Sequence, residues 1–306
     1  MDAAIQIQNI FKSYENVNAL SDISLDISKA ELFGFIGPDG AGKTSLFRIL
    51  STLILPDSGS AKVQGLDVVK DYKALRSKLG YMPGRFSLYQ DLTVEENLNF
   101  FAGIFNTTIK ENYHLIEDIY TQIEPFRKRR AGDLSGGMKQ KLALSCALIH
   151  KPEVLLLDEP TTGVDAVSRT EFWEMLDRLK KEGITIVVST PYMDEAARCD
   201  RIALIQKGSL LSVDQPSRII RSFKNKLYGI KALNMYDLVL LLRKYPECES
   251  AYLFGDWIHF SAKNDIDKNN LTTFLKENRM QEVVVKEISA DIEDTFMELL
   301  SNKNLV

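Results

Sequence analysis

The stretch ELFGFIGPDGAGKTSLFRIL, Glu31 to Leu50, carries the first decision about this chain. An apolar run, ELFGFIG, reads as a strand that ends directly in glycines, and SLFRILSTL after them has helical spacing. Between the two, GPDGAGKT (Gly37 to Thr44) fits G-x-x-x-x-G-K-[ST] in the strand-to-helix setting that this pattern requires. Its glycines let successive backbone N–H groups curl around phosphates, Lys43 reaches the terminal ones, and the Thr44 hydroxyl suits Mg²⁺. The nucleotide contacts expected here are Gly37, Pro38, Asp39, Gly40, Ala41, Gly42, Lys43, Thr44 and Ser45. A glycine-rich turn that merely happened to hold a lysine would not need a strand before it and a helix after it.

Further strands define the sheet to which this loop belongs. EVLLLD and ITIVVS are continuous apolar runs separated by helix-length segments, the pattern of a parallel sheet covered on both faces. The run VLLLDEP ends in Asp158 and Glu159, and an acidic residue at the carboxyl end of such a strand faces the ligand crevice. There Asp158 would hold Mg²⁺, directly or through water, while Glu159 polarises the attacking water. Upstream, AIQIQNI and ISLDIS are short alternating runs that read as strands. From about Arg85 to His150 the pattern turns helical, with Thr93 and Glu96 forming a capping box ahead of VEENLNFFAGIF.

Glycine usage marks a boundary: 15 of the 17 glycines precede Pro216, which separates a loop-rich, ligand-handling part (1–216) from a tail of different character (217–306). The tail reads as strand LYGIKA, helix MYDLVLLLRKY, strands ESAYLF and WIHFSA, helix NNLTTFLKEN, strand EVVVKEI and a closing helix DIEDTFMELL. Gly255-Asp256 suits a two-residue hairpin turn with positive φ. The resulting βαββαβ order is that of a small α+β ferredoxin-like domain.

Bulk properties narrow the surroundings. Among 306 residues, 45% are hydrophobic and the net charge is -4, so two cores are affordable and no basic field invites nucleic acid as a partner. Cys146, Cys199 and Cys248 form no short-spaced pair, which argues against a disulfide frame or zinc site and for a reducing compartment. No apolar run reaches the ~18 residues a membrane helix needs, and MDAAIQIQNIFKSYE lacks a signal-peptide pattern. The expectation is a cytoplasmic protein that serves a membrane, if at all, from its cytoplasmic face.

DLSGGMKQK, Asp133 to Lys141, is similar to the signature motif of ATP-binding cassette (ABC) ATPases, and it lies between the phosphate loop and VLLLDEP as in that family. TTGVD, ending at Asp165, resembles the family's D-loop, and Tyr14 in FKSYENVNAL stands where the family stacks an aromatic ring on adenine. The resemblance runs from about Ile5 to Asp214, and IEDTFMELL is similar to the tail of drug-export-like members. It implies an ABC-type P-loop NTPase, α/β in class, with a parallel core sheet, an N-terminal antiparallel β subdomain and a helical subdomain at about 85–150. It implies ATP and Mg²⁺ as cofactors and head-to-tail pairing, in which Leu134, Ser135, Gly136 and Gly137 close over ATP held by a partner cassette. Polytopic permease subunits are the implied membrane partners.

Two positions depart from the family's pattern. After the strand GYMP the family has a glutamine that touches Mg²⁺ and the attacking water; here Gly84 stands there, with Gln90 too far along to replace it. In STPYMDEAARCD the family's γ-phosphate-contacting histidine is Pro191, which has no side-chain donor and no N–H. Thr190 as N-cap and Pro191 as the first helical residue would make a good helix start, leaving the fold intact while the chemistry loses donors. Asp39, where asparagine is usual, adds a negative charge near phosphates. With an intact signature, the damage is one-sided and implies the weaker half of an unequal cassette pair in an exporter. The competing readings are a non-transport ABC ATPase and a regulatory clamp with little turnover. Phe86, Tyr89, Phe100, Phe101 and Phe105 are expected to be mostly core, with a residual patch where the family docks a membrane-subunit helix, whereas FRKRRAG reads as a solvated basic loop.

Overall fold

In the computed structural model, which describes residues 3–264 and 266–303, the chain divides into two compact units between Pro216 and Ser217. The first unit opens with a long antiparallel hairpin, β1 (Ala3–Tyr14) and β2 (Val17–Ser28), whose inward positions Ile5, Ile7, Ile10, Ile23 and Ile27 are fully buried. Both strands exceed the short runs expected from AIQIQNI and ISLDIS. A register shift between Ile7 and Ile10, with Asn9 at φ 48°, lets the hairpin bend and continue.

The chain then enters β3 (Leu32–Ile36), buried at every residue, and turns through the phosphate loop into α1 (Lys43–Leu50). Strands β4 (Ser58–Val63) and β5 (Leu66–Asp67) return to the hairpin and complete an antiparallel sheet in the order β2-β1-β4-β5. After a short α2 (Tyr72–Arg76) comes β6 (Leu79–Met82), followed by the helical insertion α3 (Val94–Ile104), α4 (Ile109–Tyr120) and α5 (Gly136–Leu148). The expected Thr93–Glu96 capping box is present: Glu96 N–H donates to Thr93 Oγ1 at 3.2 Å and Thr93 N–H to Glu96 Oε2 at 2.8 Å.

The core sheet is completed by β7 (Val154–Asp158), α6 (Ala166–Lys181), β8 (Thr185–Thr190), β9 (Arg201–Gln206) and β10 (Ser209–Asp214). Its order is β10-β9-β3-β8-β7-β6, parallel except for the terminal β9–β10 pair. Strands β3, β7 and β8 are buried along their whole length, as doubly covered parallel strands must be. Phe33, Phe35 and Phe47 stack edge to face beneath α1, each ring worth about 1.5–3 kcal/mol in removal from water, and so fix the loop's helix on the sheet.

α7 (Pro216–Arg221) begins at the boundary, and the second unit continues through β11 (Leu227–Lys231), α8 (Met235–Leu242), β12 (Cys248–Phe254), β13 (Trp257–Ala262), α9 (Lys268–Glu277), β14 (Val284–Ile288) and α10 (Ile292–Lys303). Its antiparallel sheet has the order β12-β13-β11-β14, over a core of Tyr228, Leu238, Leu242, Phe260, Leu271 and Leu275. Phe254 pairs with Trp257, so Gly255 and Asp256 form a two-residue loop, and Gly255 alone has positive φ (52°).

Two expectations need correction. The strand β8 runs through Thr190, and the segment after it is a 3₁₀-helix, Met193–Arg198, with Tyr192 at the N-cap; Thr190 and Pro191 do not start a helix. The Thr190 hydroxyl instead accepts from Tyr192 N–H at 3.1 Å and donates to Glu195, which uses up the cap it could have offered. The aromatic cluster is not core: Tyr89 is 52% and Phe100 41% exposed, and Phe86, Phe101 and Phe105 are half-buried. These rings pack on one another instead, Tyr89 against Phe100 and Phe100 against Phe101.

Candidate functional site

The phosphate loop is shaped by glycines whose absent Cβ atoms are structural necessities. A Cβ on Gly37 would sit 2.1 Å from the Ile205 carbonyl oxygen of β9, and one on Gly42, at φ 106°, would sit 2.3 Å from the Ala19 carbonyl oxygen of β2. These approaches hold the loop against the core sheet on one side and against the hairpin bearing Tyr14 on the other. Tyr14 pairs with Val17 at the hairpin's end, is 41% exposed, and has the Lys12 ammonium 5.6 Å from its ring centroid. Substituting Gly37 by alanine forces a backbone overlap at ~1–3 kcal/mol, so the thermal midpoint of the ligand-free chain should fall by roughly 3–10 °C. A calorimetric scan reads this directly, and an unchanged midpoint would mean the loop relaxes freely.

Lys43 opens α1 with its side chain turned back over the loop. Its ammonium donates to the carbonyls of Gly37 at 2.7 Å and Pro38 at 3.1 Å and lies 3.5 Å from Glu159 Oε1. The lysine is only 3% exposed, so its charge is held at the loop's mouth rather than in bulk water. Asp39 and Gly40 are exposed at the loop's tip, whereas Ala41 is buried.

The carboxylates come from the end of β7, the neighbour of β8. Parallel pairing places Asp158 beside Ser189, whose hydroxyl donates to Asp158 Oδ1 at 2.5 Å and accepts from Glu159 N–H at 3.0 Å. Asp158 is 2% exposed, and Glu159 leaves the strand at φ 50°, a left-handed conformation that turns its side chain toward Lys43. An open cavity of about 730 Å³ is lined by Thr44, Arg48, Tyr81, Gly84, Arg85, Asp158 and Glu159 among others. Burial, and then the nearby Asp158 charge, push the Tyr81 hydroxyl up to about 12, so it stays protonated at neutral pH.

Gly84 and Pro191 lie beside these groups. A Cβ on Gly84 would stand 3.1 Å from the Asp158 carbonyl oxygen and 3.6 Å from Glu159 Cβ. Pro191 follows Thr190, whose carbonyl accepts from Gly37 N–H at 3.3 Å. The structure thus brings Gly37, Lys43, Thr44, Asp158, Glu159, Gly84 and the Pro191 segment into one locality.

The signature residues form a second locality. Leu134 is buried, Ser135 and Gly136 are exposed, and Ser135 caps α5 by accepting from Met138 N–H at 3.4 Å. The helix starts at Gly136. A Cβ on Gly136 would meet the Gly163 carbonyl oxygen at 3.5 Å, and one on Gly137 would meet Ser168 Oγ at 3.2 Å, so the signature lies against the segment carrying Asp165. Asp165 caps α6, and the N–H groups of Ser168 and Val167 hold its carboxyl below the usual range.

Ser189 was not singled out in the sequence, and Thr190 only as a helix cap, although a serine and a threonine closing an otherwise apolar strand are the available signal. The basic run at Phe126–Arg130 is exposed, with Arg129 stacked on Phe126. Among the described residues no helix is long and apolar enough to cross a membrane.

Fold and site together are those of the P-loop class, with a helical insertion ahead of the strand that ends in Asp158. The family model for the ABC transporter matches residues 20–162. The chain is 38% identical over 307 residues to the probable multidrug ABC transporter ATP-binding protein YbhF of Escherichia coli (strain K12), covering 98% of this chain and 52% of that protein. It therefore spans about half the length of that relative. It is 35% identical over 248 residues to the Nod factor export ATP-binding protein I of Rhizobium sp. (strain N33), covering 80% of this chain and 82% of that one. Among solved structures, cbiO1 of Clostridium perfringens, part of an ABC transporter complex, superposes with a TM-score of 0.64 at 25% identity over 72% of this chain and 94% of its own. A dimeric bacterial ABC transporter cassette superposes at 0.63 with 25% identity, over 69% of this chain and 98% of its own. The chain belongs to the ATP-binding proteins of ABC transporters.

Proposed function

We propose that this chain binds ATP at its own phosphate loop, hydrolyses it slowly, and drives export through separate polytopic membrane subunits as the weaker half of an unequal cassette pair. The export reading rests on the multidrug and Nod factor exporter relatives, and the pairing on the dimeric cassette of like fold. The observation that carries the inequality is local. Gly84, against Asp158 and Glu159, and Pro191, one residue beyond the Thr190 carbonyl that holds Gly37, both lack a side-chain donor.

The residues present fit the nucleotide. The loop from Gly37 to Ser45 presents backbone N–H groups and Lys43 to a triphosphate, and Tyr14 offers an exposed ring for the base. The Thr44 hydroxyl and the Asp158 carboxylate are hard oxygen donors of the kind Mg²⁺ takes. When bound there, Mg²⁺ would neutralise charge on the phosphates. Glu159 orients and polarises water, and Lys43, 3.5 Å away, keeps its carboxylate near the loop. Leu134 to Gly137, at the dipole end of α5, complete a site on the partner cassette, and Asp165 holds the adjoining segment in place. Because this signature is intact, the completed site on a partner of different sequence is the competent one, so a heterodimer is favoured over a homodimer.

The exposed Tyr89 and Phe100, next to an apolar cavity of about 240 Å³ lined by Met82, Phe101, Phe105 and His150, form a groove for a helix of the membrane subunit. The chain would then sit on the cytoplasmic face of the membrane, with no nucleic acid partner. We read the second unit, with its βαββαβ order, as an accessory ferredoxin-like domain.

Purified alone, the chain should bind ATP yet turn over below the ~1 s⁻¹ that begins the ordinary enzyme range, and from cells it should fractionate with membranes through a polytopic protein. Ordinary turnover by the purified chain, abolished by Glu159→Gln, would overturn the inequality. Fractionation away from membranes would point to a non-transport ATPase or regulatory clamp instead.

A further inference from the structure

Glu195 has no role in the readings above, yet its carboxylate is 3% exposed and joins three separate segments. Oε1 accepts from the Thr161 hydroxyl at 2.8 Å and Oε2 from the Thr190 hydroxyl at 2.5 Å. Both threonines are themselves buried, so neither has water as an alternative partner. Arg169, one turn into α6 from Asp165, approaches Oε1 at 3.7 Å and Asp194 at 3.7 Å, with its guanidinium 5.1 Å from the Tyr192 ring centroid. Thr190 also ties this cluster to the phosphate loop, since its carbonyl accepts from Gly37 N–H. Thr161 ties it to the signature-facing loop, since its carbonyl accepts from Val164 N–H at 3.3 Å, next to Asp165. A continuous set of bonds thus runs from the first glycine of the phosphate loop, through β8 and Glu195, to the segment between Glu159 and Asp165.

We propose that Glu195 is a positioning residue, clamping the Glu159–Asp165 loop to the end of β8 so that the partner-facing Asp165 stays in register with the phosphate loop. The inference rests on the reading of Glu159 and Asp165 given above. The 3₁₀ form of Met193–Arg198 follows from the same need: it brings Glu195 back beneath Thr190 only five residues on.

Amide hydrogen exchange on the full chain, read by mass spectrometry without nucleotide, tests this. In Glu195→Ala, peptides covering 161–168 should exchange about tenfold faster or more, because two buried hydroxyls lose their acceptor. Peptides from β1, β2 and the second unit should be unchanged, and the MgATP dissociation constant should stay within about twofold. Glu195→Gln keeps an acceptor for one hydroxyl and a donor for the other, so its exchange at 161–168 should stay within about threefold of the parent. Should Glu195→Ala fail to fold, Thr161→Val, which removes one donor and leaves the carboxylate, should raise exchange over the same peptides. Unchanged exchange at 161–168 would overturn the proposal. So would acceleration spread over the whole first unit, or Glu195→Gln behaving like Glu195→Ala, since either describes a merely structural carboxylate. Exchange is read without turnover, so a chain found not to hydrolyse ATP would count against the proposed function and leave this result standing.

Discussion

Replacing Lys43 by alanine should raise the dissociation constant for MgATP at least 100-fold, about 2.7 kcal/mol, measured by titration calorimetry on the full chain. The expectation comes from where the ammonium is held. At 3% exposure, with the Gly37 and Pro38 carbonyls 2.7 and 3.1 Å away, it is already positioned at the loop and loses little side-chain freedom when a triphosphate arrives. Hydrogen bonds between ionised partners in a partly dry site are also roughly twice as strong as neutral ones. The same substitution leaves Glu159 without the cation 3.5 Å from it, which adds uncompensated negative charge beside the phosphates and acts in the same direction. The fold should survive, since β3 and α1 are fixed by Phe33, Phe35 and Phe47 rather than by the lysine. An affinity loss below threefold would remove Lys43 from the role proposed for it.

How much of this was legible in the sequence depends on how local each signal is. The phosphate loop could be read because its constraint is written in one stretch: strand, glycines at close approaches, lysine, helix. The strand ending in Asp158 and Glu159 was legible for the same reason. What holds Asp158 was not, because Ser189 is 31 residues away and reaches it only through the parallel register of β7 and β8. The Thr190-Pro191 pair fits a helix start on local grounds alone, and tertiary bonding overrode it: Glu195 and Tyr192 N–H both claim the Thr190 hydroxyl. The aromatic residues around α3 misled for a different reason. Spacing shows which side chains share a helix face but not whether another element covers that face, and here Tyr89 and Phe100 cover each other. In the second unit the alternation was strong enough to give the order of strands and helices. The left-handed turn residue followed from the Gly255-Asp256 pair, because glycine, with no Cβ, takes φ 52° without steric cost.

Introducing glutamine at 84 and histidine at 191 should raise kcat at least 100-fold, with ATP affinity changing less than threefold. A single donor directed at developing charge is worth about 10²- to 10³-fold in rate, so Pro191→His alone should supply most of the gain. The site can accept both side chains. Gly84 is not in the left-handed region, and the 3.1 Å from its built Cβ to the Asp158 carbonyl oxygen asks the neighbour to yield by only a few tenths of an ångström. Pro191 starts no helix, so the fixed φ of proline stabilises no helical turn that histidine would lose, and the freed N–H is at a half-buried position. The two gains should combine less than additively, because both groups act on the same water and phosphate. The intact signature from Leu134 to Gly137 matters here: a homodimer of the double variant would contain two complete sites, so no partner of different sequence is needed for the assay. Adding Glu159→Gln to the double variant should remove the gain, which separates repaired chemistry from a contaminating ATPase. If kcat of the double variant stayed within threefold of the parent, Gly84 and Pro191 would not be the cause of slow turnover, and the inequality proposed for the pair would lose its physical basis.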